Sequence, residues 1–354
     1  MGFRTFVMAD TPTTPATAAR VAESAQIVSP AAPSTTIDLL TPIWQRVLQL
    51  PSVGVDDNFF DLGGDSALAL ELFHQIALAG GRELPPVVIY HAPTVSALAA
   101  LLEQSDTPRI PPLIQLKAGS EPPVFIAHGL GGSAMDFFQI VKHMQTPNAI
   151  YGMQAKGIDG VEEPLDRIED MARYALDAVR KKQPAGPYFL IGFSLGGLVA
   201  LEMAQQLVAQ GERIGLLAML DSYPYSSCLS FAQRTRLVTR QSWRWIAGRL
   251  QWLGVPAPYR TTLDLPPSPF QQRFRESDHR ALKRYRPRFY PGKVNFVRAE
   301  IPTDFPDDPA ALWSHLAQGF ELDTVSGDHL GLMTTHFEEL AAVLSRYLAA
   351  IPQN

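Results

Sequence analysis

From Thr36 onward, apolar residues recur at three- and four-residue spacing: Ile37, Leu40, Ile43, Trp44, Val47 and Leu48. This spacing predicts an amphipathic helix. Ala67 to Leu78 is almost wholly apolar and runs into Gly80-Gly81, which predicts a second helix, and Pro93-Thr94 opens a third over Val95 to Leu102. Residues 36–104 therefore read as a small helical bundle. Upstream, residues 11 to 36 are nearly all Thr, Pro, Ala and Ser, too poor in apolar side chains to bury a core, so residues 1–35 read as a disordered leader. Downstream, the proline-rich stretch 105–123 reads as a linker that contributes one edge strand, Leu113 to Leu116.

Beyond the linker the period changes. Val124 to Ala127, Ile150 to Met153, Tyr188 to Ile191, Leu216 to Leu220, Val294 to Val297 and Glu321 to Val325 are short apolar runs that predict strands. Met171 to Lys182, Leu198 to Gln210 and Thr335 to Ala349 carry helical spacing between or after them. Alternation of this kind predicts a mostly parallel sheet with helices on both faces. Residues 224 to 290 interrupt it with a helical, aromatic segment containing Trp243, Trp245 and Trp252 and the break Leu265-Pro266-Pro267. The expected architecture is a helical bundle followed by an α/β domain with a helical insertion over the sheet.

The 354 residues suit two or three domains, and 46% hydrophobic content supports real cores. The net charge of -5 gives no global reason for nucleic-acid or anionic-membrane binding. It is nevertheless unevenly spread. Residues 36–104 hold 2 basic and 8 acidic side chains, whereas residues 231–290 hold 13 basic and 3 acidic. Such opposed charge has two readings: the insertion helps dock the acidic bundle, or its arginines are simply the solvated faces of its helices. A single cysteine, Cys228, excludes an intramolecular disulfide and fits a reducing compartment. The longest uncharged apolar stretch, Phe189 to Leu201, falls short of the roughly 18 residues of a spanning helix. With no export signal in Met1 to Asp10, a cytoplasmic protein is expected.

Candidate chemistry concentrates at Gly192-Phe193-Ser194-Leu195-Gly196, a G-x-S-x-G set between a predicted strand and a predicted helix. That context lifts a serine above a sheet on a tight turn and aims the Leu195 N–H at a forming oxyanion. A nucleophilic serine needs a base, and the base needs an orienting acid. His329, between Gly327 and Gly331 just after the last predicted strand, is the base favoured over His279, His315 and His336. Two acids are placed for the third role. Asp221 ends the strong strand Leu216 to Leu220, and Asp304 follows the next strand. Asp304 stands with Asp307 and Asp308 among prolines, as in a solvated loop, which favours Asp221. The glycine-rich turn His128-Gly129-Leu130-Gly131-Gly132 after the first core strand offers the Leu130 N–H as a second oxyanion donor.

In the bundle, Asp57-Asn58-Phe59-Phe60-Asp61-Leu62-Gly63-Gly64-Asp65-Ser66 leads into the second helix. Asp65 or Ser66 could serve as a helix cap, or two glycines could leave Ser66 open to modification, with a phosphate at the positive helix end. Local physics leaves both readings standing.

This stretch and its three-helix setting resemble the carrier-protein (thiolation) domain of nonribosomal peptide synthetases. The resemblance implies 4'-phosphopantetheine attached to Ser66, with Ala67 a departure from the larger apolar residue usual there. From about Pro111 to Leu348 the chain is similar to the terminal thioesterase domain of such synthetases. The similarity rests on Ile126-Ala127-His128-Gly129-Leu130-Gly131-Gly132, Gln183 to Tyr188, Gly192 to Gly197, Leu220-Asp221-Ser222 and Gly327-Asp328-His329. It implies an α/β hydrolase over residues 111–354, a substrate-covering lid at about 224–290 and Asp221 as the acid; no metal is expected.

A didomain of this kind would take an acyl or peptidyl thioester on phosphopantetheine and release it through an acyl-serine by hydrolysis or cyclisation. Its expected partners are a phosphopantetheinyl transferase and an upstream synthetase or acyl-loading enzyme acting in trans, with neither nucleic acid nor membrane. Three alternatives stand at this point: an editing thioesterase acting on other carriers, an esterase of soluble substrates, and a carrier or docking module with a non-catalytic hydrolase fold.

Overall fold

The computed structural model describes residues 35–64, 66–80, 84–104, 109–225, 228–229, 235, 239, 269–301 and 308–351. The expected leader, Asp304 and most of the segment 224–290, including its tryptophans, lie outside the described residues.

The helical unit is built from α1 (Thr36–Leu48), α2 (Ser66–Leu78) and α3 (Val95–Leu102), with a 3-10 turn at Pro86–Tyr90. The Thr35 and Thr94 side chains accept the Asp38 and Ala97 N–H groups, so both helices start where a threonine caps them. The predicted stripe is the buried one: Leu40, Ile43, Trp44 and Val47 face Phe59, Leu72, Ile76 and Leu98. Trp44 meets Phe59 edge-on with ring centroids 5.2 Å apart.

Seven strands form one sheet: β1 (Leu113–Lys117), β2 (Ser120–Ala127), β3 (Asn148–Met153), β4 (Tyr188–Phe193), β5 (Ile214–Leu220), β6 (Tyr290–Ala299) and β7 (Ala317–Val325). Their spatial order is β1-β3-β2-β4-β5-β6-β7. Only β1 is antiparallel, on the edge against β3. Between and after them run α4 (Phe138–His143), α5 (Ile168–Lys182), α6 (Leu195–Val208), α7 (Pro269–Arg284) and α8 (Phe337–Ala349). Side-chain alternation splits the strands between two cores. Phe125, Leu190, Leu217 and Phe296 pack with α5 and α6, while Val124, Ile126, Ile191, Ala218 and Val297 pack with α4 and α8. Every residue of β4 is buried, as a strand covered on both faces requires.

The element bounds differ from the sequence expectation where the buried run is shorter than the element. β6 begins four residues before Val294 and β7 four before Glu321, because their first residues pair across a partly exposed edge. Helix α6 begins at Leu195 rather than Leu198, since Gly196 and Gly197 lie inside its first turn.

The two units touch through aromatic and apolar side chains. Phe138 of α4 packs against Phe60 and Tyr90 of the helical unit at 5.2 and 6.3 Å between centroids. Met135, Ile158 and Phe274 belong to the same apolar cluster as the helical core.

Candidate active site

Strand β4 delivers Ser194 at the carboxyl end of the sheet, with φ 54° and ψ -117°, a conformation strained for a residue with a Cβ. The strain is held by bonds on either side. The Ser194 N–H donates to the Leu220 carbonyl at 2.9 Å, and the Ser194 carbonyl accepts from Ser222 Oγ at 2.6 Å. The flanking glycines are dictated by close approach. A Cβ on Gly192 would strike the Gly196 carbonyl, and one on Gly196 would strike the His128 carbonyl, so β4, α6 and the turn after β2 interlock only through glycine.

Strand β5 delivers Asp221, itself at φ 43° and 4% exposed. Its N–H donates to Val297 at 2.7 Å, and its Oδ1 accepts from the Ala299 N–H at 3.2 Å, which clamps the carboxylate between β5 and β6. Its Oδ2 lies 2.8 Å from His329 Nδ1. A carboxylate only accepts, so Nδ1 carries the proton and Nε2 is left as the acceptor. The imidazole stacks on Phe193 at 4.6 Å between centroids, which fixes its plane beside the serine turn.

Leu195 is the first residue of α6, so its N–H has no acceptor within the helix. Leu130 sits in the turn after β2 and is 53% exposed, and its N–H has no acceptor among the described residues. The turn is braced around it. His128 Nδ1 contacts the Gly129 carbonyl at 2.8 Å, the Gly131 N–H donates to Asp278 Oδ2 at 3.0 Å, and the Ala134 N–H donates to Gln154 Oε1 at 2.7 Å. Burial lowers the His128 pKa and keeps it neutral, in line with a structural part. Burial raises the Asp278 carboxyl to about 7, with the Gly131 hydrogen bond opposing the rise. A cleft lined by His128, Met153, Lys156, Met171, Phe274 and Asp278 opens on this side.

Sequence reasoning missed two contributors. Ser222 stands within the Leu220-Asp221-Ser222 motif, which signalled importance without its hydrogen bond to the serine turn. Asp278 registered only as one acid in a basic segment, and nothing local marks its contact with a turn 147 residues away. Part of the basic segment is described. Arg273 pairs with Glu163, and Arg280 and Arg284 pair with Asp166, all within the sheet domain.

In the helical unit, Ser66 opens α2. The turn before it folds tightly, with the Gly63 and Gly64 N–H groups donating to Phe60 and Phe59 carbonyls. Gly63 has φ +92° and open space where a side chain would stand. A helix N-terminus beside an open glycine turn suits a phosphodiester on Ser66, so these residues fit phosphopantetheine. Among the described residues there is no cluster suited to a metal and no helix long and apolar enough to cross a membrane.

Comparison with known proteins gives two family matches, a phosphopantetheine attachment site over residues 38–102 and a thioesterase domain over residues 122–254. A dimodular nonribosomal peptide synthase of Bacillus subtilis (strain 168) is 43% identical over 189 residues, covering 53% of this chain and 8% of that protein. A solved holo four-domain nonribosomal peptide synthetase is 23% identical with a TM-score of 0.57, covering 91% of this chain and 26% of that one. The NocB thioesterase domain from the nocardicin cluster is 24% identical with a TM-score of 0.51, covering 67% of this chain and 99% of that one. The two structural likenesses concern the fold. The chain spans less than a tenth of the length of the Bacillus relative.

Proposed function

This chain joins a phosphopantetheine attachment domain to a thioesterase domain in the order of nonribosomal peptide synthetase terminal modules, and we propose that it takes an acyl or peptidyl group on Ser66 and releases it through Ser194. Residues 36–104 form the carrier, 105–123 the linker and 111–354 the hydrolase, with 224–290 as its lid. Phosphopantetheine on Ser66 supplies a thiol that holds the acyl group as a thioester. A phosphopantetheinyl transferase installs it, and an upstream synthetase or acyl-loading enzyme charges it. The setting proposed is the cytoplasm.

His329 Nε2 takes the Ser194 Oγ proton as Oγ adds to the thioester carbonyl. The N–H groups of Leu130 and Leu195 hold the resulting oxyanion. Asp221 holds the Nδ1–H tautomer and stabilises the imidazolium that forms. The C–S bond then breaks, His329 gives its proton to the leaving sulfur, and the acyl group remains as an ester on Ser194. In the second half His329 deprotonates water, which yields a free acid, or a nucleophile within the acyl chain, which yields a ring. Tethering carrier and hydrolase on one chain makes delivery intramolecular.

The observation that carries this reading is the 2.8 Å contact between Asp221 and His329, stacked beside the Ser194 turn. A fluorophosphonate probe should label the intact protein at Ser194, and Ser194→Ala should lose both the label and hydrolysis of a hexanoyl-pantetheine thioester. Label at another residue, or hydrolysis surviving in Ser194→Ala, would refute it.

A further inference from the structure

Helix α7 presents Phe274 and Asp278, one turn apart, to the glycine turn after β2. Asp278 is 2% exposed and Phe274 1% exposed. Asp278 Oδ2 accepts the Gly131 N–H at 3.0 Å, and a Cβ added to Gly132 would come within 2.9 Å of the Phe274 ring. The opposite side of the turn is tied to residues just after β3. Gln154 Oε1 accepts the Ala134 N–H at 2.7 Å, and the Gly132 carbonyl accepts the Ala155 N–H at 2.9 Å. One anchor thus follows a strand of the sheet and the other belongs to a helix of the insertion. The Gly131 N–H lies in the peptide plane directly after Leu130. Fixing that plane limits rotation about the Leu130 backbone, which aims the Leu130 N–H.

We propose that Asp278 is a positioning residue that latches α7 onto the oxyanion turn, so that Leu130 is aligned as a donor only while α7 is seated. The inference rests on the assignment of Leu130 to the oxyanion site. Asp278 makes no ion pair among the described residues. The titratable groups sharing its cleft are His128 at the end of β2, Lys156 after β3 and Tyr174 on α5. Lys156 Nζ is 3.3 Å from Glu162, and burial disfavours the charged form of His128.

The buried carboxyl titrates near 7 when seated, above the ordinary carboxylate range it returns to when α7 lifts away. The seated state therefore binds the extra proton. Its advantage is full at acid pH, declines as pH rises from the carboxylate range to about 7, and is level above that. A neutral acceptor of the same shape removes this dependence and keeps the bond to Gly131.

The test measures hydrolysis of a hexanoyl-pantetheine thioester by the full chain across pH, with kcat and KM separated. Asp278→Leu should lower kcat by about 10- to 100-fold, less than the loss of an oxyanion donor itself, with KM within about twofold. Asp278→Asn should restore kcat to within about threefold of wild type and flatten the part of the pH profile below about 7. Amide exchange at Gly131 should quicken in Asp278→Leu and stay slow in Asp278→Asn, a reading independent of turnover. An unchanged kcat in Asp278→Leu, or equal losses in both variants, would overturn the latch. Ser194→Ala separates the two levels: activity persisting there defeats the serine mechanism, whereas its loss together with an indifferent Asp278 defeats the latch alone.

Discussion

At the scale of single residues, Asp221 carries a double duty. One oxygen is bound by the Ala299 N–H and the other by His329, so the carboxylate ties β5 to β6 while it holds the His329 ring. Asp221→Asn keeps the shape and removes the charge that favours imidazolium. We expect kcat for a soluble thioester to fall by on the order of a thousandfold or more with KM little changed, measured by steady-state kinetics. Retained activity would return the acid role to another residue. The glycines make a different prediction. Gly196→Ala drives a methyl into the His128 carbonyl, so chemical denaturation should show a loss of about 1–3 kcal/mol, and fluorophosphonate labelling should slow as the serine turn shifts. These positions were legible in the sequence because the chemistry is local: strand, glycine, serine, glycine and helix occur within a few residues. Asp278 was not, since its meaning comes from a contact between segments far apart in the chain.

At the scale of elements, the contact between the two units is aromatic. Phe138 on α4 faces Phe60 and Tyr90, while Arg273, Arg280 and Arg284 of α7 are paired with Glu163 and Asp166. Charge composition suggested an electrostatic dock, because opposite net charges can be counted from a sequence and pairing partners cannot. Two outcomes follow. Phe138→Ala should slow release of an acyl group from the tethered carrier by about 3- to 10-fold and leave hydrolysis of a soluble thioester within twofold, given ~0.5–1.5 kcal/mol for an aromatic pair. Because the contact is aromatic, raising salt from about 0.05 to 0.5 M should change tethered turnover by less than about twofold, whereas a dock made by exposed charges would be strongly screened over that range. A steep salt dependence would restore the charge-docking view. Element type was readable from period, as α1, α3 and β4 show. Start points were not readable where glycines or half-exposed edge residues belong to an element, as in α6 and β7.

At the scale of the whole molecule, a region matching the phosphopantetheine attachment family and one matching the thioesterase family share one chain, and side chains of both enter one apolar cluster. The order of the two domains was visible from two short motifs, Gly63-Gly64-Asp65-Ser66 and Gly192 to Gly196. Which faces meet was not, because Phe60, Tyr90, Phe138 and Phe274 each look like ordinary core residues until the fold brings them together. The central claim is that an acyl group passes from Ser66 to Ser194 within this chain. The most direct measurement loads the full chain with a hexanoyl-phosphopantetheine group, using a phosphopantetheinyl transferase, and follows the acyl group by peptide-level mass spectrometry. The account predicts hexanoyl first on the Ser66 peptide, then on the Ser194 peptide, and no transfer in Ser194→Ala. Release of the acyl group from the Ser66 peptide at an undiminished rate in Ser194→Ala would contradict it.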